Sequence, residues 1–139
     1  MKSLKTLVRI ARRDLDLLRR ALAERIAEGI VIEERMRTHE QTVRDEQKAA
    51  LRDYESGRAY GGFAAVAVSG RRGLETQAAT VEAESEQLRS LITEAHVETR
   101  KFERLLELQA EREREAAAKH EDAELDEMTT LRGARLSQR

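Results

Sequence analysis

A repeat of apolar residues at four-three spacing occupies the N-terminal part of the chain. The six positions of this repeat are Leu4, Val8, Ala11, Leu15, Leu18 and Leu22. The spacing places all six on one stripe of an α-helix and is typical of a coiled-coil seam. Such a stripe must be covered by another helix, so the repeat restricts the chain to helix-on-helix packing.

The composition points the same way. The 139 residues include no proline, so no helix breaker is present. Charged residues make up 38% and aromatic residues 3% of the chain, which is too little apolar bulk for a compact core and favours long helices. The net charge of −1 gives no overall attraction to nucleic acid, and we expect no nucleic-acid partner.

A glycine-rich stretch from Gly57 to Gly73 separates two long charged segments. We therefore predict an all-α fold, an antiparallel two-helix coiled-coil hairpin with helix 1 over residues 2–56, a turn over 57–62 and helix 2 over 63–132. A short connection permits only the antiparallel arrangement. Residues 1–139 would form a single elongated domain.

A second seam is predicted on helix 2. It comprises Leu88, Leu91, Ala95, Phe102 and Leu105. With the turn at 57–62, helix 2 would extend beyond the end of helix 1 by roughly 10–15 residues, because both helices rise about 1.5 Å per residue. Residues 1–25 are mainly basic and residues 111–128 mainly acidic, which fits an antiparallel hairpin.

No combination of residues indicates catalysis. His39, His96 and His120 are isolated, without the spacing of a metal site, and the chain has no cysteine. The glycines match no nucleotide-binding loop. We therefore predict no enzyme activity, no catalytic residue, no cofactor, no metal and no small-molecule substrate.

Hydropathy indicates a soluble cytoplasmic protein. The longest apolar run, residues 63–68, is far below the ~18 residues of a membrane-spanning helix, and charges near the N-terminus interrupt any signal peptide. A basic cluster near the N-terminus could contact nucleic acid, an anionic lipid head group or an acidic protein surface, but a solvated face is favoured. The cluster comprises Arg9, Arg12, Arg13, Arg19 and Arg20.

Leu51, Tyr54, Tyr60 and Phe63 gather apolar bulk near the predicted turn. Two interpretations are open: these side chains pack the turn, or they form an exposed patch that binds a partner.

Four elements in this order resemble the FliJ family of flagellar export proteins. They are residues 4–9 (LKTLVR), 51–54 (LRDY), 60–63 (YGGF) and the 101–105 run (KFERL) that leads towards Asp126 and Glu127. The resemblance implies a coiled-coil stalk of the flagellar type III protein export apparatus, which serves flagellar assembly and motility. Such a protein would be cytoplasmic and peripherally associated with the inner membrane at the flagellar base.

The resemblance also implies partners. The end with both termini would enter the hexameric export ATPase, the other end would bind the cytoplasmic domain of the export-gate membrane protein, and the stalk would handle export chaperones. The positions implied for gate binding are Gln47, Leu51 and Tyr54 on helix 1, and Phe63, Ala67, Gly70 and Leu74 on helix 2.

Two alternatives stay open. One is the equivalent stalk protein of a virulence type III secretion system. The other is a generic coiled-coil scaffold that dimerises through the Leu4–Leu22 seam.

Overall fold

The computed structural model describes residues 3–138, which form two α-helices, α1 (Leu4–Arg52) and α2 (Tyr54–Ser137). The two long helices pack against each other as a hairpin, so the predicted all-α fold is confirmed. The hydroxyl of Ser3 caps α1 by accepting a hydrogen bond from the backbone N–H of Thr6, at 3.3 Å.

The chain reverses at Asp53, not over residues 57–62. Those six residues are helical, α1 ends at Arg52 rather than at residue 56, and α2 extends from Tyr54 to Ser137 rather than from 63 to 132. The reason is the Asp53 side chain. Its Oδ1 accepts a hydrogen bond from the backbone N–H of Ser56 and its Oδ2 one from the Ser56 hydroxyl, both at 3.1 Å. This is an N-cap, and it starts α2 immediately.

The glycines that suggested a turn lie inside α2. None of the described glycines has positive φ, so none uses the conformational freedom that a tight turn requires. Gly57 serves a different purpose. A Cβ at this position would lie 3.0 Å from the carbonyl oxygen of Ala50, so glycine allows the first turn of α2 to approach the last turn of α1 closely.

The described chain falls into two compact units, and both helices contribute to each. In the unit of residues 14–95, Leu15, Ile32, Ala67 and Val81 are the buried apolar side chains. Arg25 of α1 also forms an ion pair with Glu84 of α2 in this unit, at 3.2 Å.

The other unit comprises residues 3–13 and 96–138. Its buried side chains are Val8 of α1 and Thr99 of α2. Arg12 of α1 and Glu103 of α2 form an ion pair at 3.2 Å across the same contact.

The α1 seam residues lie in the contact. Val8 and Leu15 are buried, and Leu4, Ala11, Leu18 and Leu22 are half-buried.

The seam of α2 differs from its prediction at two positions. Leu88, Ala95 and Phe102 are half-buried, but Leu91 and Leu105 are 44% and 48% exposed. The residues on the inner stripe of α2 follow an unbroken four-three spacing: Val81, Ser85, Leu88, Ile92, Ala95, Thr99, Phe102 and Leu106. Two of these residues are polar, which conceals the stripe in a search for apolar residues.

Every residue from Gln109 to Gln138 is exposed. This part of α2 is covered by nothing else in the described chain, and it is longer than the predicted 10–15 residues. The earlier reversal and the later end of α2, at Ser137 rather than 132, together explain the difference. Each residue by which the reversal moves towards the N-terminus shortens the first helix and lengthens the second.

Candidate partner-binding surface near the reversal

Two large apolar side chains flank Asp53 and face solvent. Leu51, on the last turn of α1, is 89% exposed, and Tyr54 is 83% exposed. Tyr54 is the first residue of α2, not a residue of helix 1 as the sequence suggested. The hydrogen bonds of the Asp53 cap fix the backbone at the reversal. Leu51 and Tyr54 therefore project into solvent from fixed positions on either side of it.

Tyr60 and Phe63 form a ring pair about two turns further along α2. Their ring centroids lie 6.1 Å apart with an interplanar angle of 39°, and both residues are half-buried. Ring pairs with this geometry stabilise each other beyond the area that they bury. Of the two interpretations of the aromatic residues, packing therefore describes Tyr60 and Phe63, and exposure describes Tyr54.

An open groove lies beside the helix contact in the same unit. It has a volume of about 470 Å³. Its lining residues are His39, Glu40, Val43, Arg44 and Gln47 of α1, and Tyr60, Ala64, Ala67, Val68 and Arg71 of α2. The groove combines an apolar floor with a charged rim.

The charges of the rim are only partly compensated. Arg71 forms ion pairs with Glu75 at 3.0 Å and with Glu40 at 3.9 Å. Arg44 has no ion pair with any described residue. Such a rim suits a partner side chain that carries an acceptor above an apolar body.

The structure does not bring the seven predicted gate-binding residues onto one surface. Leu51 and Tyr54 are exposed at the reversal, and Gln47 lines the groove. On α2, Ala67 is 8% exposed and belongs to the core, and Phe63 and Leu74 are half-buried.

Gly70 is explained by a contact with α1. The Nε2–H of His39 donates a hydrogen bond to the carbonyl oxygen of Ala67, at 2.9 Å. Because the carbonyl can only accept, Nε2 is the protonated nitrogen. A Cβ at position 70 would lie 3.3 Å from Cε1 of His39. Gly70 therefore makes room for the imidazole, which links α1 to the backbone of α2.

In the sequence, His39 is an isolated histidine for which no role is predicted. The signal that could have found it is a glycine at a seam-side position, where a bulky partner from the other helix has to fit. The other two histidines have different surroundings. His96 lies on an exposed part of α2, and Nε2 of His120 lies 3.1 Å from a carboxylate oxygen of Glu124.

The Asp53 carboxyl is electrostatically tuned. The backbone N–H of Ser56, followed by the Ser56 hydroxyl, stabilises the charged form and lowers the pKa of Asp53 from its ordinary value of 3.8. The pattern Asp53-Tyr54-Glu55-Ser56 is a helix-start signal that the glycine-rich stretch obscured.

Within residues 3–138, no group of three or more His, Asp or Glu side chains is placed to hold a metal ion. Over the same residues, no helix is both long enough and apolar enough to cross a bilayer.

Comparison of the chain with protein families, with curated proteins and with solved structures finds no match.

Proposed function

We propose that this chain is a stalk component of the flagellar type III protein export apparatus, as the resemblance to the FliJ family implies. The proposal is supported above all by one observation: a two-helix hairpin displays exposed apolar side chains at its reversal and a long uncovered helix in the unit of residues 3–13 and 96–138. The protein would act in the cytoplasm, at the membrane base of the flagellum, by holding partners rather than by chemistry.

The reversal is the surface that we assign to the export gate. Leu51 and Tyr54 are the anchors, because a partner that covers these two highly exposed side chains removes a large apolar area from water. Gln47 and Arg44 in the adjoining groove add polar contacts. Ala67 and Leu74 contribute by packing the hairpin.

The uncovered helix is the segment that we assign to the ATPase ring. From Gln109 to Gln138 it exposes charged residues of both signs and scattered leucines, so it can contact several subunits in turn without a deep pocket. Export chaperones would be handled along the same stalk.

The test is a binding assay with purified full-length protein, the flagellar export ATPase and the cytoplasmic domain of the export gate. Replacing Leu51 and Tyr54 together by Ala should weaken gate binding at least tenfold and leave ATPase binding unchanged. The matched control replaces Leu17 and Val31, which are 52% and 46% exposed on α1, and should change neither.

Removal of residues 109–139 should abolish ATPase binding and preserve gate binding. If the full-length chain binds neither flagellar partner, the proposal is wrong. Binding to the ATPase of a virulence secretion system, with none to the flagellar one, would instead identify the virulence stalk.

A further inference from the structure

The last part of α2 carries a face that is complementary to itself. Leu125, Met128 and Leu131 are 60%, 55% and 57% exposed, so three adjacent apolar side chains have no cover. Acidic side chains precede them and basic ones follow. We call this set the self-complementary face: Glu121, Glu124, Leu125, Met128, Leu131, Arg132 and Arg135.

These seven residues lie on one side of the helix. At about 100° per residue, all of them fall within about 60° of Met128. Leu125 and Leu131 lie three residues to either side of Met128, Glu124 and Arg132 four residues, and Glu121 and Arg135 seven residues. Met128 is therefore the centre of an arrangement that is acidic on one side and basic on the other.

The charges on this face are available for a partner. Glu124 contacts only the adjacent His120, at 3.1 Å. Glu121, Arg132 and Arg135 form no ion pair with any described residue. An occupant of the face must carry basic residues opposite Glu121 and acidic residues opposite Arg135. A second copy of the same helix, turned antiparallel, has that order of charges.

We propose that this face binds the same face of a second copy of the chain, antiparallel, with Met128 on the two-fold axis. Glu121 and Glu124 of each copy then lie opposite Arg132 and Arg135 of the other. Leu125 of one copy lies at the same height as Leu131 of the other, and the two Met128 side chains meet at the centre. A parallel pair would place like charges together.

The contact is small. From Glu121 to Arg135 the helix rises about 21 Å, so the buried area falls in the class of weak, reversible interfaces below about 1,200 Å². We expect a dissociation constant on the order of 10–100 μM, which should rise with salt because the charges are exposed. The dimer uses part of the segment that we assign to the ATPase ring, so the two contacts exclude each other and the weak dimer must dissociate before the ring binds. The Leu4–Leu22 seam is not the dimer contact, because it already packs against α2.

The first test measures the mass of the full chain by sedimentation over a range of concentrations. The unaltered chain should pass from monomer to dimer. The variant E121R/E124R has only basic charges on the face, and R132E/R135E has only acidic ones; each alone should stay monomeric at concentrations tenfold above the wild-type dissociation constant. An equimolar mixture of the two variants should form a heterodimer.

The matched control is E115R/D126R. It makes the same change in charge as E121R/E124R, but both residues point about 140–160° away from Met128 at about 100° per residue. This control should dimerise like the unaltered chain. A monomer at every concentration, or dimers that persist in both charge-reversed variants, would overturn the proposal.

The second test determines whether the two helices are antiparallel. Because the chain has no cysteine, each introduced cysteine can form a disulfide only with another introduced one. M128C should form a disulfide-linked dimer under mild oxidation, because the two positions adjoin on the two-fold axis. E121C should not link to itself, since its two copies lie about 21 Å apart along the helix, but it should link to R135C in a mixture. Self-linking of E121C as efficient as that of M128C would contradict the antiparallel arrangement.

Discussion

Two parts of the same helix, α2, reach the same secondary structure by different means. From Tyr54 to Leu108, α2 has a buried or half-buried residue on nearly every turn, and from Gln109 to Gln138 it has none. In the first part, helix formation is coupled to packing against α1. In the second part, it depends on the local sequence alone.

The local sequence of the uncovered part favours a helix without packing. Residues 116–118 are three consecutive alanines, which have the highest helix propensity, and Glu and Arg dominate the flanks. Side chains four residues apart also interact: Gln109 donates to Glu113 at 3.4 Å, and His120 contacts Glu124 at 3.1 Å. Helix formation in α2 therefore follows local propensity, whereas burial shows which of its residues pack against a partner.

The largest difference between the two parts should appear on truncation of leucines. Leu15 is 5% exposed, so Leu15→Ala should lower the free energy of unfolding by about 2–5 kcal/mol. Leu125 is 60% exposed, and Leu125→Ala should change it by less than about 0.5 kcal/mol in dilute monomer. Urea unfolding followed by circular dichroism at 222 nm measures both. Equal losses would mean that the uncovered part is packed in solution.

Glycine-to-alanine changes should have opposite signs in the two parts. Gly57→Ala places a Cβ 3.0 Å from the Ala50 carbonyl oxygen, and we expect a loss of about 1–3 kcal/mol from this overpacking. A Cβ at Gly133 meets nothing within 4 Å. Because alanine has the higher helix propensity, Gly133→Ala should stabilise this part of the helix by up to about 1 kcal/mol. Thermal unfolding compares the variants. A stabilising Gly57→Ala would show that α1 and α2 are not in close contact at the reversal.

The paired part begins at the Asp53 cap, and its stability should depend on pH. The folded-state pKa of Asp53 lies below the unfolded value, so its contribution is fully present above pH 3.8 and is lost as pH falls through the depressed pKa. The unfolding midpoint of the wild type should therefore exceed that of Asp53→Ala at neutral pH, and the difference should shrink under acid.

Ser56→Ala serves as the control for this prediction. It removes the hydroxyl donor and keeps the backbone N–H, so it should reduce the pH dependence and not abolish it. If the unfolding midpoint of the wild type exceeds that of Asp53→Ala by the same amount at neutral and acid pH, the charged cap is contradicted.

The smallest effect is expected for ion pairs between the helices. Arg25 and Glu84 lie 3.2 Å apart with 35% and 46% of their side chains exposed, so a double-mutant cycle to Ala should give a coupling of about 0.2–1 kcal/mol. The coupling should fall in high salt. The within-helix pair Arg104–Glu107, at 3.0 Å, is the reference and should give about 0.2–0.5 kcal/mol.

The hairpin was predictable because the four-three repeat requires a covering helix and no proline interrupts the chain. The inward-facing stripe of α2 was less predictable. Leu91 and Ile92, and likewise Leu105 and Leu106, are adjacent apolar residues, so the sequence alone does not decide which of each pair faces inward. The deciding residues, Ser85 and Thr99, are polar and carry no hydropathy signal.

The reversal was placed too late for a different reason. Glycines are commonly found in turns, and several of them outweighed one aspartate followed three residues later by a serine. Helix packing explains Gly57 and Gly70 instead, since each admits a group of α1. At the candidate site, exposure of Leu51 and Tyr54 could not be read from the sequence, because the same residues could equally have packed a longer turn.

The single residue that joins α1 to α2 sets the rotational phase of the whole second helix. One residue inserted beside Asp53 would turn α2 by about 100° and present a different stripe to α1 along the entire contact. Length changes at this junction are therefore restricted to those that restore the phase. Insertions between Leu108 and Glu121 change neither the contact with α1 nor the spacing within the self-complementary face, so the length of the hairpin can vary there.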